Sequence, residues 1–265
     1  MFSRLFLKAC NAIVNLVLVL SLVVAGAYAV YALWDNNQVL TAAEDVQADM
    51  IKLKPEITDT EEEDASASFD ELQAINSDVC GWISMDNTKI DYPILHGENN
   101  LTYINKDVYG NFDLAGSIFL DSRNSRAFDE SYALLYGHHM ADSRMFGDLD
   151  NYKDEAFFRE NRTGMLILPD KTYDLEIIAC MLIGASDDMI FDPDAAQDDI
   201  QALLDHAEEK ALFVNSDVME RARQTENLQL LALSTCSSEY TDARTIVLTV
   251  MNPHTASGTG GEKNG

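Results

Sequence analysis

An apolar run from Ala12 to Trp34, broken only by Asn15, Ser21 and small residues, constrains this chain before any other feature does. About 20 apolar residues carry a helix across the hydrocarbon core of a bilayer, so the run is long enough to span one. Arg4 and Lys8 precede it, and Asp35 is the first acid in the chain. The positive-inside rule then places the N-terminus in the cytoplasm and everything after Asp35 outside. Tyr28, Tyr31 and Trp34 cluster toward the outer end, where aromatic rings favour the interface. A cleaved secretory signal is the competing reading, with Ala25-Gly26-Ala27 or Ala27-Tyr28-Ala29 as its small-residue site. The run continues past both sites, which favours an uncleaved, single-pass anchor in the cell membrane. Either way the main domain is extracytoplasmic.

All of the acids, and all of the bases except Arg4 and Lys8, lie beyond that run. With 45 Asp and Glu against 18 Lys and Arg among 265 residues, the formal charge is −27. A surface of that sign repels a phosphate backbone, which excludes a nucleic-acid binder, and it equally excludes a polybasic peripheral membrane protein. Apolar residues make up 47% of the chain, enough for a real core. The four cysteines are scattered and no C-x-x-C pair occurs, so neither a disulfide scaffold nor structural zinc is expected. No D-x-D-x-D-G loop turns the acids into a calcium site. The reading therefore assigns no cofactor and no metal.

Residues 1–11 read as a cytoplasmic N-terminus, 12–34 as the anchor, 35–67 as an acidic stalk, 68–254 as the folded domain and 255–265 as a disordered tail. The stalk holds Glu61-Glu62-Glu63-Asp64 and few large apolar residues, a composition that repels itself and stays extended. Ser68-Phe69-Asp70-Glu71 reads as a capping box opening the domain's first helix. Beyond it, apolar runs bounded by turn residues predict eight strands, near 79–85, 90–95, 117–121, 132–138, 164–170, 172–183, 228–235 and 244–251. Pro169-Asp170-Lys171 marks a hairpin. Ile200, Leu203, Leu204 and Ala207 predict one helical face within Asp194–Lys210, and shorter helices are expected near 99–105, 153–160 and 216–223. The fold class is mainly β: a closed or nearly closed, mostly antiparallel eight-stranded barrel with inserted helices.

Three strand ends carry reactive residue types. Cys236 ends the apolar strand Leu228–Cys236, His138 lies in Tyr136-Gly137-His138-His139-Met140 at the end of the fourth strand, and Arg244 opens the last strand. If the last two strands form a hairpin, Cys236 and Arg244 meet at its mouth. Alternation along Leu134, Tyr136 and His138 places His138 and His139 on opposite faces. Cys80 and Cys180 sit in apolar runs and read as reduced core thiols.

Leu233-Ser234-Thr235-Cys236, followed by Arg244, resembles the T-L-x-T-C…R signature of sortases. Tyr136-Gly137-His138-His139-Met140 resembles the Y-G-H-N-M segment of class B members, and Gly81-Trp82-Ile83, Ile90–Ile94 and Gly116–Asp121 also look like class B segments. The resemblance covers about residues 69 to 252 and implies a surface-exposed, membrane-anchored cysteine transpeptidase of a Gram-positive bacterium. Such an enzyme cleaves the C-terminal sorting signal of secreted surface proteins, holds the acyl product as a thioester and passes it to an amine on a cell-wall precursor or a pilin. By position, the resemblance makes Cys236 the nucleophile, His138 the general acid/base and Arg244 the oxyanion or carbonyl stabiliser, with Asn100, Ile104, Ser234 and Thr235 in the substrate groove. The sequence departs from the pattern at His139, where Asn is usual, and at Ala232, where threonine is frequent. A pilin-polymerising enzyme, and an inert tethered binding domain on the same barrel, are the alternatives.

Overall fold

The computed structural model describes residues 2–55, 63–236 and 242–255, and the side chains of all of these except 2, 3, 5, 63–68 and 236. The chain divides into two compact units, Met1–Ala42 and Ala43–Gly265. The first consists of most of helix α1 (Phe2–Ile51), long and apolar enough between Phe6 and Ile51 to cross a membrane. Its large apolar side chains, from Phe6 to Trp34, are exposed on every side. Water penalises such a surface and a hydrocarbon layer does not.

α1 does not give way to an extended stalk after Trp34, as its composition predicts; it stays helical to Ile51. Ala43, Val46 and Met50 lie at helical spacing and pack against the barrel, and Gln47 Nε2 donates to Lys89 O at 3.1 Å. The apolar residues of this block are interspersed with acids and amides, so the face they form does not register without its partners. Residues 56–62, in the remainder of the expected stalk, lie outside the described residues. Helix α2 (Glu63–Ile75) begins five residues before Ser68, so the capping-box reading misplaces its start. The expected tail lies outside the described residues from 256 onward.

The sheet comprises β1 (Val79–Met85), β2 (Asp91–Leu95), β3 (Ile118–Leu120), β4 (Tyr132–Tyr136), β5 (Thr163–Ile167), β6 (Thr172–Gly184), β7 (Ala211–Val214), β8 (Leu230–Cys236) and β9 (Ala243–Pro253). Eight of these close a barrel in the order β5-β1-β2-β3-β4-β8-β9-β6, with β6 returning to pair with β5. β7 adds to β6 outside the barrel and was missed in sequence because it is short and mostly half-exposed. The β2–β3 and β4–β8 pairs are parallel and the rest antiparallel.

Both faces of the central strands are covered. Leu231, Leu233 and Val247 belong to one buried cluster with Ile94, Ile118 and Leu135. Their neighbours Leu230, Ala232, Ile246 and Leu248 pack on the opposite face under α4 (Asp188–Phe191), α5 (Pro193–Asp198), α6 (Ile200–Lys210) and α7 (Ser216–Gln224). Burial on two sides explains why β8 reads as a continuous apolar run rather than an alternating one. The single helix expected over Asp194–Lys210 is broken at Asp199, whose carboxylate caps α6 by accepting from Ala202 N at 2.9 Å. The expected helix 153–160 is α3 (Glu155–Glu160), preceded by a 3-10 turn over Gly147–Lys153. Residues 99–105 form turns, not a helix. Asn99 Oδ1 takes Leu101 N at 2.9 Å, a local bond that competes with helix propagation.

Cys80 and Cys180 are free and buried, and burial pushes each thiol up to about 12. Neither thiol is expected to react with iodoacetamide at pH 8 until the protein unfolds. Native and denatured alkylation maps check this, and a Cys80–Cys180 bond in a non-reducing map would contradict it.

Candidate active site

β4, β8 and β9 are consecutive in the barrel, and their registers bring the three strand ends together. Tyr136 lies beside Ser234, and Cys236 lies across from Arg244. His138 lies two residues past Tyr136, just beyond the end of β4, as Cys236 stands two past Ser234 on β8. Gly137 N continues the ladder by donating to Ser234 O at 3.1 Å. Gly137 has to be glycine, because a Cβ there would lie 2.8 Å from the Phe146 ring and run into Ile118.

A cleft of about 300 Å³ opens at this point. Asn100, Ile104, Ser234 and Thr235 line it, as do His138 and Arg244. The side chain of Cys236 lies outside the described residues; its backbone forms the last rung of β8. His138 Nε2 is 2.6 Å from Ile104 O. A carbonyl oxygen only accepts, so Nε2 is the donor in this contact. Arg244 donates through Nη1 to Ala243 O at 2.9 Å, and no carboxylate among the described residues pairs with it. The Ser234 and Thr235 hydroxyls are buried without a partner among the described residues.

Behind the cleft lies a polar hub that sequence reading missed. Asp121 directly follows β3 and its side chain is fully buried. It accepts from Arg123 Nε at 2.9 Å and Nη2 at 2.8 Å, from Asn100 Nδ2 at 2.9 Å and from the Tyr136 hydroxyl at 3.0 Å. Arg123 reaches on to Phe191 O at 2.6 Å and Asp192 Oδ1 at 3.1 Å. Asn100, Tyr136 and Phe191 are three walls of the cleft, and Tyr136 stacks on Phe191 at 6.4 Å between ring centroids. The only trace in sequence is an acid and a base two residues apart after a strand, a pattern common in turns.

No protein-family model matches the chain. Among solved structures, a Streptococcus pyogenes class B sortase involved in pilus biogenesis is 38% identical, with a TM-score of 0.63, and the match covers 69% of this chain and 97% of that one. The chain belongs to the class B sortases. Sortase B of Staphylococcus aureus is 27% identical over 244 residues, 92% of this chain and 96% of its own. The structure of a Staphylococcus aureus sortase B–substrate complex matches at 27% identity and TM-score 0.62, over 81% of this chain and 94% of that one. The protein is accordingly a sortase cysteine transpeptidase, and the eight-stranded barrel expected from sequence is the fold these relatives share.

In this sortase the hub has a measurable consequence. Burial alone would raise the Asp121 carboxyl, but hydrogen bonds from Arg123, Asn100 and Tyr136 outweigh it and hold the group below its ordinary value. A depressed carboxyl stabilises the fold fully above its unfolded value, and that contribution is lost as pH falls through the folded one. Asp121→Ala is expected to cost about 3 kcal/mol in urea unfolding at pH 7, less than a fully enclosed pair because Arg123 is partly solvated. The deficit relative to wild type should shrink toward pH 3. The loosened walls should also raise the KM for a substrate peptide.

Proposed function

We propose that this sortase is a single-pass membrane enzyme, N-terminus in the cytoplasm, that cuts the C-terminal sorting signal of secreted proteins and transfers the acyl product to a cell-wall precursor amine. Arg4 and Lys8, close before the apolar helix, support that orientation. The single observation that carries the chemistry is the register that sets Cys236 opposite Arg244 at a cleft lined by His138.

Cys236, as thiolate, adds to the scissile carbonyl, and the oxyanion that forms is met by the planar donors of Arg244. His138 gives its proton to the leaving amine, the C–N bond breaks and a thioester remains on Cys236. An acceptor amine then attacks the thioester, loses its proton to His138 and expels the thiolate, so an amide is restored and the enzyme returns to its starting state. Asn100, Ile104, Ser234 and Thr235 contact the peptide.

Intact-protein mass spectrometry after incubation with a library of sorting-signal peptides tests this. An acyl adduct on Cys236 that disappears in Cys236→Ala is expected. No adduct with any peptide, or one that survives in Cys236→Ala, would overturn it. A second reading, transfer to a pilin lysine, is favoured by the 38% identity to the pilus-biogenesis enzyme. Competing a lysine-bearing pilin peptide against a cell-wall bridge amine separates the two acceptors.

A further inference from the structure

The geometry points to Asp150 as a positioning residue that clasps the strand end bearing His138 to the strand bearing Arg244, acting through His139 and Thr245. The inference rests on the roles proposed above for His138 and Arg244.

Asp150 sits in the 3-10 turn Gly147–Lys153, half-buried. Its Oδ1 accepts from Thr245 Oγ1 at 2.7 Å, and its Oδ2 lies 3.1 Å from His139 Nε2 and 3.0 Å from Lys153 Nζ. Thr245 immediately follows Arg244 and is fully buried, opposite Thr235, which immediately precedes Cys236. His139 immediately follows His138. One carboxylate therefore bonds the chain neighbours of both residues. None of Asp150, His139 and Thr245 lines the cleft, so the clasp leaves its mouth free.

The segment needs such a tie. After Gly137 the chain leaves the ladder, and Phe146 N bonds back to His138 O at 3.0 Å, closing a lobe upon itself. Leu149 and Tyr152 are buried in the core cluster and fix how deep the following turn sits. Apolar packing is non-directional, however, and leaves lateral placement to the hydrogen bonds. Asp150 supplies these at the far end of the lobe, as Gly137 does at the near end. Asn, the usual residue at position 139, also carries a side-chain donor, so His139 keeps the function of the position while changing its chemistry.

The full-length enzyme in detergent, with a peptide it cleaves, provides the test through single-turnover acylation, KM and amide hydrogen exchange. Asp150→Ala and Thr245→Val are each expected to slow acylation about 10- to 100-fold, the scale of a misplaced catalytic group, with KM changed by less than about twofold. Thr245→Ser, which restores the hydroxyl, should recover most of the rate. Exchange across residues 137–146 should quicken in both slow variants, an outcome independent of whether His138 is the base. Wild-type acylation in Thr245→Val, a Thr245→Ser variant as slow as Thr245→Val, or unchanged exchange would overturn the clasp. Should Asp150→Ala fail to fold, the Thr245 pair decides, because valine matches threonine in shape. A wild-type enzyme that forms no adduct while the variants still exchange faster would sink the proposed roles of His138 and Arg244 and leave the tie standing.

Discussion

Arg244→Lys is expected to lose about 100-fold or more in kcat while unfolding like wild type, because a preorganised oxyanion donor contributes on that scale. Lysine keeps the charge but not the planar fork that can hold an oxyanion and a neighbouring carbonyl together. Were Arg244 merely the partner of a surface carboxylate, lysine would replace it with little loss. No such carboxylate lies within reach among the described residues, where the guanidinium bonds Ala243 O and lines the cleft. Thioester formation and steady-state turnover of the purified variant check this, with circular dichroism as the folding control. Near-wild-type turnover would remove Arg244 from the mechanism.

The second large effect separates two adjacent histidines. His138→Ala should depress acylation by about 10²- to 10⁴-fold, the range for a positioned general acid/base, whereas His139→Asn should retain most activity. The structure puts the two rings in different surroundings: His138 lines the cleft and meets Ile104 O, and His139 meets Asp150 on the other side. Asn at 139 can still donate toward that carboxylate. Parallel acylation assays on both variants decide. A dead His139→Asn beside an active His138→Ala would reverse the assignment of the base.

The strands of the barrel could be read in the chain because their signals are local. β1, β6 and β9 are runs of β-branched and apolar residues with turn residues at both ends, and Pro169-Asp170-Lys171 joins β5 to β6 as its composition predicts. The misreadings arose where a contact distant in sequence decides. Residues 43–50 look like polar stalk until the barrel surface that buries Ala43 and Met50 is in place. Residues 99–105 read as a short helix in sequence, but they form turns that hold Asn100 against Asp121 and Ile104 O against His138. β7 exists only because the second half of β6 offers it an edge.

By itself the sequence determined the apolar span and its flanking charges, the barrel strands and the identity of the reactive residue types, since each depends on composition or on period within a few positions. Which of those types share a site was decided by tertiary structure alone. The parallel β4–β8 pairing sets Tyr136 beside Ser234, 98 positions away and two residues before His138 and Cys236 respectively, and no local pattern encodes that register. The same holds for the carboxylates. Among 45 acids, Asp121 and Asp150 look like any other surface charge in the chain. Only the closed barrel buries one under three walls of the cleft and aims the other at Thr245 and His139, because hydrogen bonds between distant elements exist only once packing has fixed where those elements lie.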